Sequence, residues 1–466
     1  VSVLIRGGRV VTAADDYVAD VFVEGERVAL IGAALDVEAD RTIDARGRYV
    51  LPGCVDPHTH LDMPFGGTVT IDDVESGQVA AAFGGTTCHI DFCIQERGQS
   101  FADALAVWHA KADGKQLIDM GYHIAVTDLS AAGALDELAT LPERGVTSYK
   151  LFMAYKNALM VDDATLFQTM EVAARTGALV MVHAENGDVI DVLVKNALAA
   201  GHTEPHWHAL TRPPETEGEA TNRAIQLARI ANAPLYVVHV SCREAVEPIA
   251  AARAKGWRVW GETCTQYFFV DYSFLERPNF EGAKYVYTPP PRDKANQDVL
   301  WRSVASDVLS VVSTDHAVFN WEDQKTLGRD DFSKIPNGGP GLENRLQMMH
   351  QFGVRAGRFS LNRMVELLAT NPAKLFGLYP RKGTIAVGSD ADIVVFDPEK
   401  RVTISAATHR SRVDYNLYEG TEVLGSPEVV LLRGNVLVEN DELVASPGLG
   451  RFVARAKFGE TLPAGA

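Results

Sequence analysis

The stretch GCVDPHTHLD, residues 53–62, carries two histidines two positions apart. On an extended chain His58 and His60 point to the same face, and two imidazoles on one face are half of a metal site. An H-x-H pair alone is weak evidence. His183, however, ends the apolar run ALVMVHA, His239 the run PLYVVHV, and Asp315 the run VLSVVSTD. Lys150 holds the matching place in TSYKLFM, where a buried ammonium is costly unless paired or neutralised. Each residue has an ordinary explanation: a satisfied core histidine, an aspartate capping the next helix, a lysine snorkelling along its stem. None of these explains why every such strand puts its polar group at the same end. Four histidines, one aspartate and one odd lysine suit a pair of borderline-soft divalent ions. Neutral imidazoles and a single aspartate leave two dications poorly neutralised. A carbamate made from Lys150 and carbon dioxide would supply a bridging anion between metals about 3.5–4 Å apart. It would also remove the penalty on the buried ammonium.

The elements that position these groups alternate. Between about Pro52 and Asn371, short apolar strands such as TTCHIDFC, GYHIAV and WRVWGET alternate with longer segments such as ADALAVWHAKADG, DDATLFQTMEVAARTG, EATNRAIQLARIAN and REAVEPIAAARAKG. That rhythm indicates a parallel sheet, and a (β/α)8 barrel is its favoured closed form. The strand ends of such a barrel converge on one mouth. A doubly wound open sheet is the alternative, weakened by the lack of a G-x-G-x-x-G after the first strand and of a phosphate-binding G-x-x-x-x-G-K-[ST]. The first fifty residues, and again KGTIAVGSDADIVVFDP and EVVLLRGNVLVEND, read as short strands broken by turns. They suggest one small β domain built from both ends of the chain. Expected boundaries are 1–51 with 373–445 for that domain, 52–372 for the barrel, and 446–466 for a peripheral Gly/Pro-punctuated tail.

A chain of 466 residues, 46 % hydrophobic and 23 % charged, can bury a large core without staples. A formal charge of −17 argues against a nucleic-acid partner. No run approaches the ~18 apolar residues of a membrane span, and the start lacks the pattern of a signal peptide. Five cysteines, an odd number with no C-x-x-C, suit a reducing cytoplasm and read as core thiols.

Taken in order, VDPHTHLD, SYKLFMAYK, VMVHAENGD, YVVHVSC, KYVYTPPPR, STDHA, IPNGGPGLENR and KLFGLYPRKGTIAVGSDADIVVFDP resemble the motifs of D-hydantoinases and dihydropyrimidinases, cyclic-amide hydrolases of the amidohydrolase superfamily. The resemblance runs to about Pro447. It implies an α/β fold, a (β/α)8 TIM-like barrel with a small β-sandwich domain. His58 and His60 match ligands of the more buried metal, His183 and His239 those of the second, and Lys150 the carboxylated bridging lysine. Asp315 matches the aspartate that binds the first metal and shuttles the proton. Tyr155 matches the oxyanion-facing tyrosine, and Thr288 and Asn337 match positions whose main chain holds the ring amide. The family often has serine where Thr288 stands. The metals are expected to be zinc, and the assembly a homotetramer or homodimer, with HRSRVDYNLYEG in the oligomer-forming region.

The implied reaction is hydrolytic ring opening, of 5-substituted hydantoins to N-carbamoyl amino acids and of dihydropyrimidines to β-ureido acids, by a hydroxide bridging the two metals. The ring substituent needs an apolar pocket, for which Phe65, Cys93, Ile94 and Phe152 are candidates. His316 reads as a group ordering the ligands from behind. His89, His202, His206 and His208 read as structural or surface groups, and Lys156 as a solvated lysine. Allantoinase and dihydroorotase are the rival activities. A non-catalytic scaffold is disfavoured because every ligand position is filled.

Overall fold

The computed structural model describes residues 2–461. Val1 and 462–466, the extreme ends of the expected terminal segments, lie outside the described residues. Eight strands pair in chain order and in parallel: Cys54–Thr59, Thr86–Ile94, Asp119–Ala125, Ser148–Phe152, Leu179–His183, Leu235–Val237, Val259–Cys264 and Val311–Ser313. A bridge between Thr59 and His316 closes the ring, with the His60 N–H donating to the His316 carbonyl at 2.9 Å. The intervening helices include Phe101–Ala112, Asp163–Thr176, Pro214–Ala231 and Arg243–Ala254, at the segments expected to be helical. Local chemistry sets their ends. Asp162 accepts from the Thr165 N–H at 2.8 Å to start one helix, and Gly177 ends it at φ 77°.

Side-chain alternation sorts each strand into two faces. Cys88, Ile90, Phe92, Leu179, Met181 and Tyr236 fill one interior cluster, into which Phe376 packs edge-on against His123 and Tyr236 with ring centroids 5.1 Å apart. Residues of the opposite parity, among them Cys93, Leu151 and Val182, belong to the larger cluster shared with the helices.

Apart from a short hairpin of Pro64–Phe65 with Thr68–Val69, the strands outside the barrel form a nine-stranded mixed sheet drawn from both chain ends. Ile393–Thr403 pairs antiparallel with Tyr49–Pro52 and so joins the late strands to the early ones. Val3, Ile5, Val21, Val50, Ile393, Val395 and Leu431 make its apolar interior. The architecture is thus a (β/α)8 barrel with a β-sandwich domain.

Two expectations change. Residues 373–378 pack in the barrel interior through Ala373, Leu375, Phe376 and Leu378, rather than in the small domain. The tail is also not peripheral. Arg451 and Val453 exchange main-chain hydrogen bonds with Met120, Ala456 bonds to Gly377, and Phe458 to Gly177. The Arg455 guanidinium is buried and donates to the Tyr122 carbonyl at 2.6 Å and the Ser148 hydroxyl at 2.8 Å. All five cysteines are buried and unpaired, and no helix among the described residues is long and apolar enough to cross a membrane.

Candidate active site

The strand Cys54–Thr59 and the turn after it deliver His58 and His60. Asp56 accepts from the His58 N–H at 3.1 Å, and Asp91 accepts from the Leu61 N–H at 3.0 Å, so both flanks of the H-x-H pair are pinned. The Nε2 atoms of His58 and His60 lie 3.0 and 3.1 Å from the same oxygen, Oδ1 of Asp315. Those three residues offer ligand atoms all within 4.8 Å of one another. The His239 ring centroid is 5.5 Å from that of His58, and that of His183 is 4.5 Å from His239. Lys150 sits among them, fully buried, its Nζ without a hydrogen-bond partner and 4.8 and 5.0 Å from the Phe92 and Phe152 ring centroids. All six groups predicted to hold metal therefore line one cavity at the C-terminal ends of the strands.

The backbone is bent to achieve this. Asp315, His239 and Tyr155 have φ of 50°, 40° and 65°, left-handed values that cost non-glycine residues about 1–3 kcal/mol each. In Tyr155 the bend starts a tight loop, its carbonyl accepting from the N–H groups of Ala158, Leu159 and Met160 at 3.0–3.1 Å. The phenol then faces inward, and Asn337 Nδ2 donates to it at 3.4 Å and to the Thr288 hydroxyl at 2.8 Å.

Burial governs the protonation of most of these groups. It pushes the Lys150 ammonium down to about 8, against Asp315 and Glu262, which favour the charge. It pushes His60 down to about 4 and His239 well below the ordinary imidazole value, leaving both neutral. At His58 burial is outweighed by the Asp315 and Glu262 carboxylates, which raise it to about 9. Burial lifts the Tyr155 phenol to about 12, so it remains a donor.

The profile of the amidohydrolase family matches residues 49–437. A D-hydantoinase of Geobacillus stearothermophilus is 54 % identical over 457 residues, covering 98 % of this chain and 97 % of that protein. A dihydropyrimidinase of Arabidopsis thaliana is 42 % identical over 98 % of this chain and 86 % of its own length. The crystal structure of a dihydropyrimidinase from Brevibacillus agri superposes with a TM-score of 0.97 at 56 % identity, covering 98 % of this chain and 99 % of that one. The chain belongs to the amidohydrolase family. Within it, the chain falls in the D-hydantoinase and dihydropyrimidinase branch.

An amidohydrolase implies a binuclear metal centre, and the residues present fit one. His60 and His239 are neutral, the ligand form of histidine. Buried atoms without partners, Lys150 Nζ, His60 Nδ1 and His239 Nδ1, belong to this same cluster.

Two carboxylates behind the amidohydrolase site were not anticipated. Glu262 receives His58 Nδ1 in a close contact and the Tyr236 hydroxyl at 2.9 Å, which orients the His58 ring from behind. Glu185 meets His183 Nε2 at 2.7 Å. Glu262 sits mid-strand in WGETC, the same signal that singled out Lys150. His316 does stand behind the site, bonded to Asp72 at 3.0 Å. His89 and His208 are buried structural groups, bonded to Thr59 and Gln78 and to the Tyr287 carbonyl respectively. His202 stacks on Trp207. Lys156 pairs with Asp188 at 2.7 Å at the surface.

Of the four candidates for the substituent pocket, Phe65, Ile94 and Phe152 line the cavity, joined by Met63 and Leu159. Cys93 does not. Its neighbour Ile94 faces the cavity, and alternation along the strand turns Cys93 into the helix-facing core, where it is 0 % exposed.

Proposed function

We propose that this amidohydrolase opens the rings of 5-substituted hydantoins and dihydropyrimidines with water, releasing N-carbamoyl amino acids and β-ureido acids. The observation that carries this is the convergence of His58, His60, His183, His239, Asp315 and the unpartnered Lys150 on one cavity with an apolar wall. His58, His60 and Asp315 would hold one divalent ion and His183 and His239 a second, with Lys150 between them as a carbamate. Zinc suits this donor set, and ions bound there supply Lewis-acid activation of water and of the ring carbonyl.

The chain's own groups do the rest. Asp315, already within 3.1 Å of two imidazoles, accepts the proton of the attacking water and returns it to the leaving ring nitrogen. The Tyr155 hydroxyl donates to the carbonyl oxygen as negative charge develops there. Main-chain groups of Thr288 and Asn337 hold the amide edge of the ring. Met63, Phe65, Ile94, Phe152 and Leu159 receive the substituent and exclude water. Lys150 is the one Lys or Arg among the described residues lining the cavity. If it is carbamylated, no free cation remains to hold the carboxylate of dihydroorotate. Assembly as a homotetramer or homodimer belongs to the same reading, supported by the family resemblance of residues 409–420.

The test is a rate comparison on metal-replete protein of dihydrouracil, D- and L-5-substituted hydantoins, allantoin and dihydroorotate. Turnover of dihydrouracil or a 5-substituted hydantoin is expected. Turnover of allantoin or dihydroorotate alone would overturn the assignment.

A further inference from the structure

A second fully buried lysine lies outside the metal cluster. Lys325 is 0 % exposed, and its Nζ donates to three main-chain carbonyls: Val286 at 2.7 Å, Pro336 at 2.7 Å and Gly338 at 2.8 Å. Burial pushes the amine well below its ordinary value. Yet three acceptors converging on one nitrogen call for the three N–H donors that only the ammonium has. The acceptors are not scattered. Pro336 and Gly338 flank Asn337, and Val286 lies two residues before Thr288. The Gly338 N–H returns to the Val286 carbonyl at 3.0 Å, and the Asn337 and Thr288 side chains are themselves bonded at 2.8 Å. The loop has no slack on its other side, because a Cβ on Gly338 would stand 2.0 Å from the Ala317 carbonyl oxygen.

We propose that Lys325 is a positioning residue for ring-amide recognition, its ammonium locking the backbone on both sides of Asn337 to the segment that leads into Thr288. This rests on the reading above that Thr288 and Asn337 hold the ring. Lys325 touches no reacting atom, so it sets how well the amide edge is bound rather than how fast the bond breaks. It also differs from its neighbour. Gln324 donates to the Thr68 hydroxyl at 2.8 Å and the Val69 carbonyl at 2.7 Å, steadying the hairpin that carries Phe65 and hence the substituent wall. Adjacent residues therefore brace different walls of one cavity, and their effects separate by substrate. Every substrate presents the ring amide, whereas only substituted ones reach the apolar wall.

The experiment is steady-state kinetics of Lys325→Met on metal-replete protein with hydantoin, 5-methylhydantoin and 5-phenylhydantoin, with metal content measured in parallel. Loss of a charged donor to buried acceptors predicts KM higher by about tenfold or more. The factor should be the same for all three substrates, with kcat within about threefold and metal content unchanged. Lys325→Gln, which keeps two donors, should give a smaller rise. An unchanged KM, or a rise that grows with substituent size, overturns the proposal. So does a joint fall of kcat and metal content, or recovery of both variants only as unfolded protein, since either makes Lys325 a core support. Wild-type protein inert toward all three hydantoins and dihydrouracil would instead refute the functional reading, and this inference with it.

Discussion

A buried ammonium with no hydrogen-bond partner is costly, and the Phe92 and Phe152 faces 4.8 and 5.0 Å from Lys150 offset only part of that cost. Removing such a charge from water costs several kcal/mol even after relaxation, so Lys150 makes sense as a group whose charge is meant to be lost. Its depression to about 8 raises the neutral fraction near neutrality well above that of an ordinary lysine, and the neutral amine is the form that reacts with carbon dioxide. Lys150→Ala is therefore expected to lose both bound metal and turnover, with partial recovery of both in a short carboxylic acid such as propionate. Elemental analysis and kcat/KM, with and without the acid, check this. Full activity in the variant would end the carbamate proposal. Lys150 was legible in the sequence because its neighbours are uniformly apolar, which made one charge conspicuous. Glu262 carries similar information but stands between glycine and threonine, and Glu185 is hidden in the polar run HAENG. Contrast with the surroundings, more than residue type, decided which groups could be seen.

At the scale of the element, parity along a strand decides what a side chain can do. In Thr86–Ile94, Phe92 packs against the His58 and His60 rings and Ile94 reaches the cavity, whereas Cys93 between them points the other way. Both residues are apolar and both precede the polar loop beginning at Gln95, so composition did not separate them. Only the register of the whole strand does, anchored by His89 and Asp91 in their bonds to Thr59. Truncating the two should have opposite signatures. Ile94→Ala should change the ratio of kcat/KM between 5-phenylhydantoin and unsubstituted hydantoin by about tenfold or more, a factor that a single missing methylene in an apolar pocket can reach. Cys93→Ala should leave that ratio within about twofold and lower stability by about 1 kcal/mol, read from urea melts. A ratio changed by Cys93→Ala and left alone by Ile94→Ala would place the strand in the other register. The strands themselves were readable because apolar runs alternating with helices leave few alternatives to a parallel barrel. The tail was not, since much of its attachment is made of main-chain hydrogen bonds to Met120, Gly145 and Gly377, which leave no mark on side-chain pattern.

For the whole molecule the question is how a sheet built from both chain ends stays fixed to the barrel. The two meet at Lys382, whose buried Nζ lies 2.8 Å from Asp119 at the start of a barrel strand and 2.7 Å from Asp392 beside the small sheet, with Asp390 at 3.0 Å. Burial opposes the charge on Lys382, but Asp392 and Asp119 outweigh it and raise its pKa. Asp392 is itself raised by burial, and Arg433 assists through its N–H to Asp392 at 2.9 Å and its guanidinium to Asp119. Removing the shared cation leaves buried carboxylates without their counter-charge, which typically costs about 3–5 kcal/mol. Lys382→Met is accordingly expected to destabilise the protein by that order at pH 7.5. The sign of its pH dependence follows from Asp392. Without Lys382 its folded pKa rises further above the unfolded carboxylate value near 3.9, so the fold favours the neutral acid. The penalty is then complete above the folded pKa and fades toward the unfolded one. Urea melts at pH 7.5 and pH 5 should show the gap between variant and wild type narrowing at the lower pH. A gap of the same size at both would mean that Lys382 contributes through packing of its stem, and that the junction is held by shape rather than by charge.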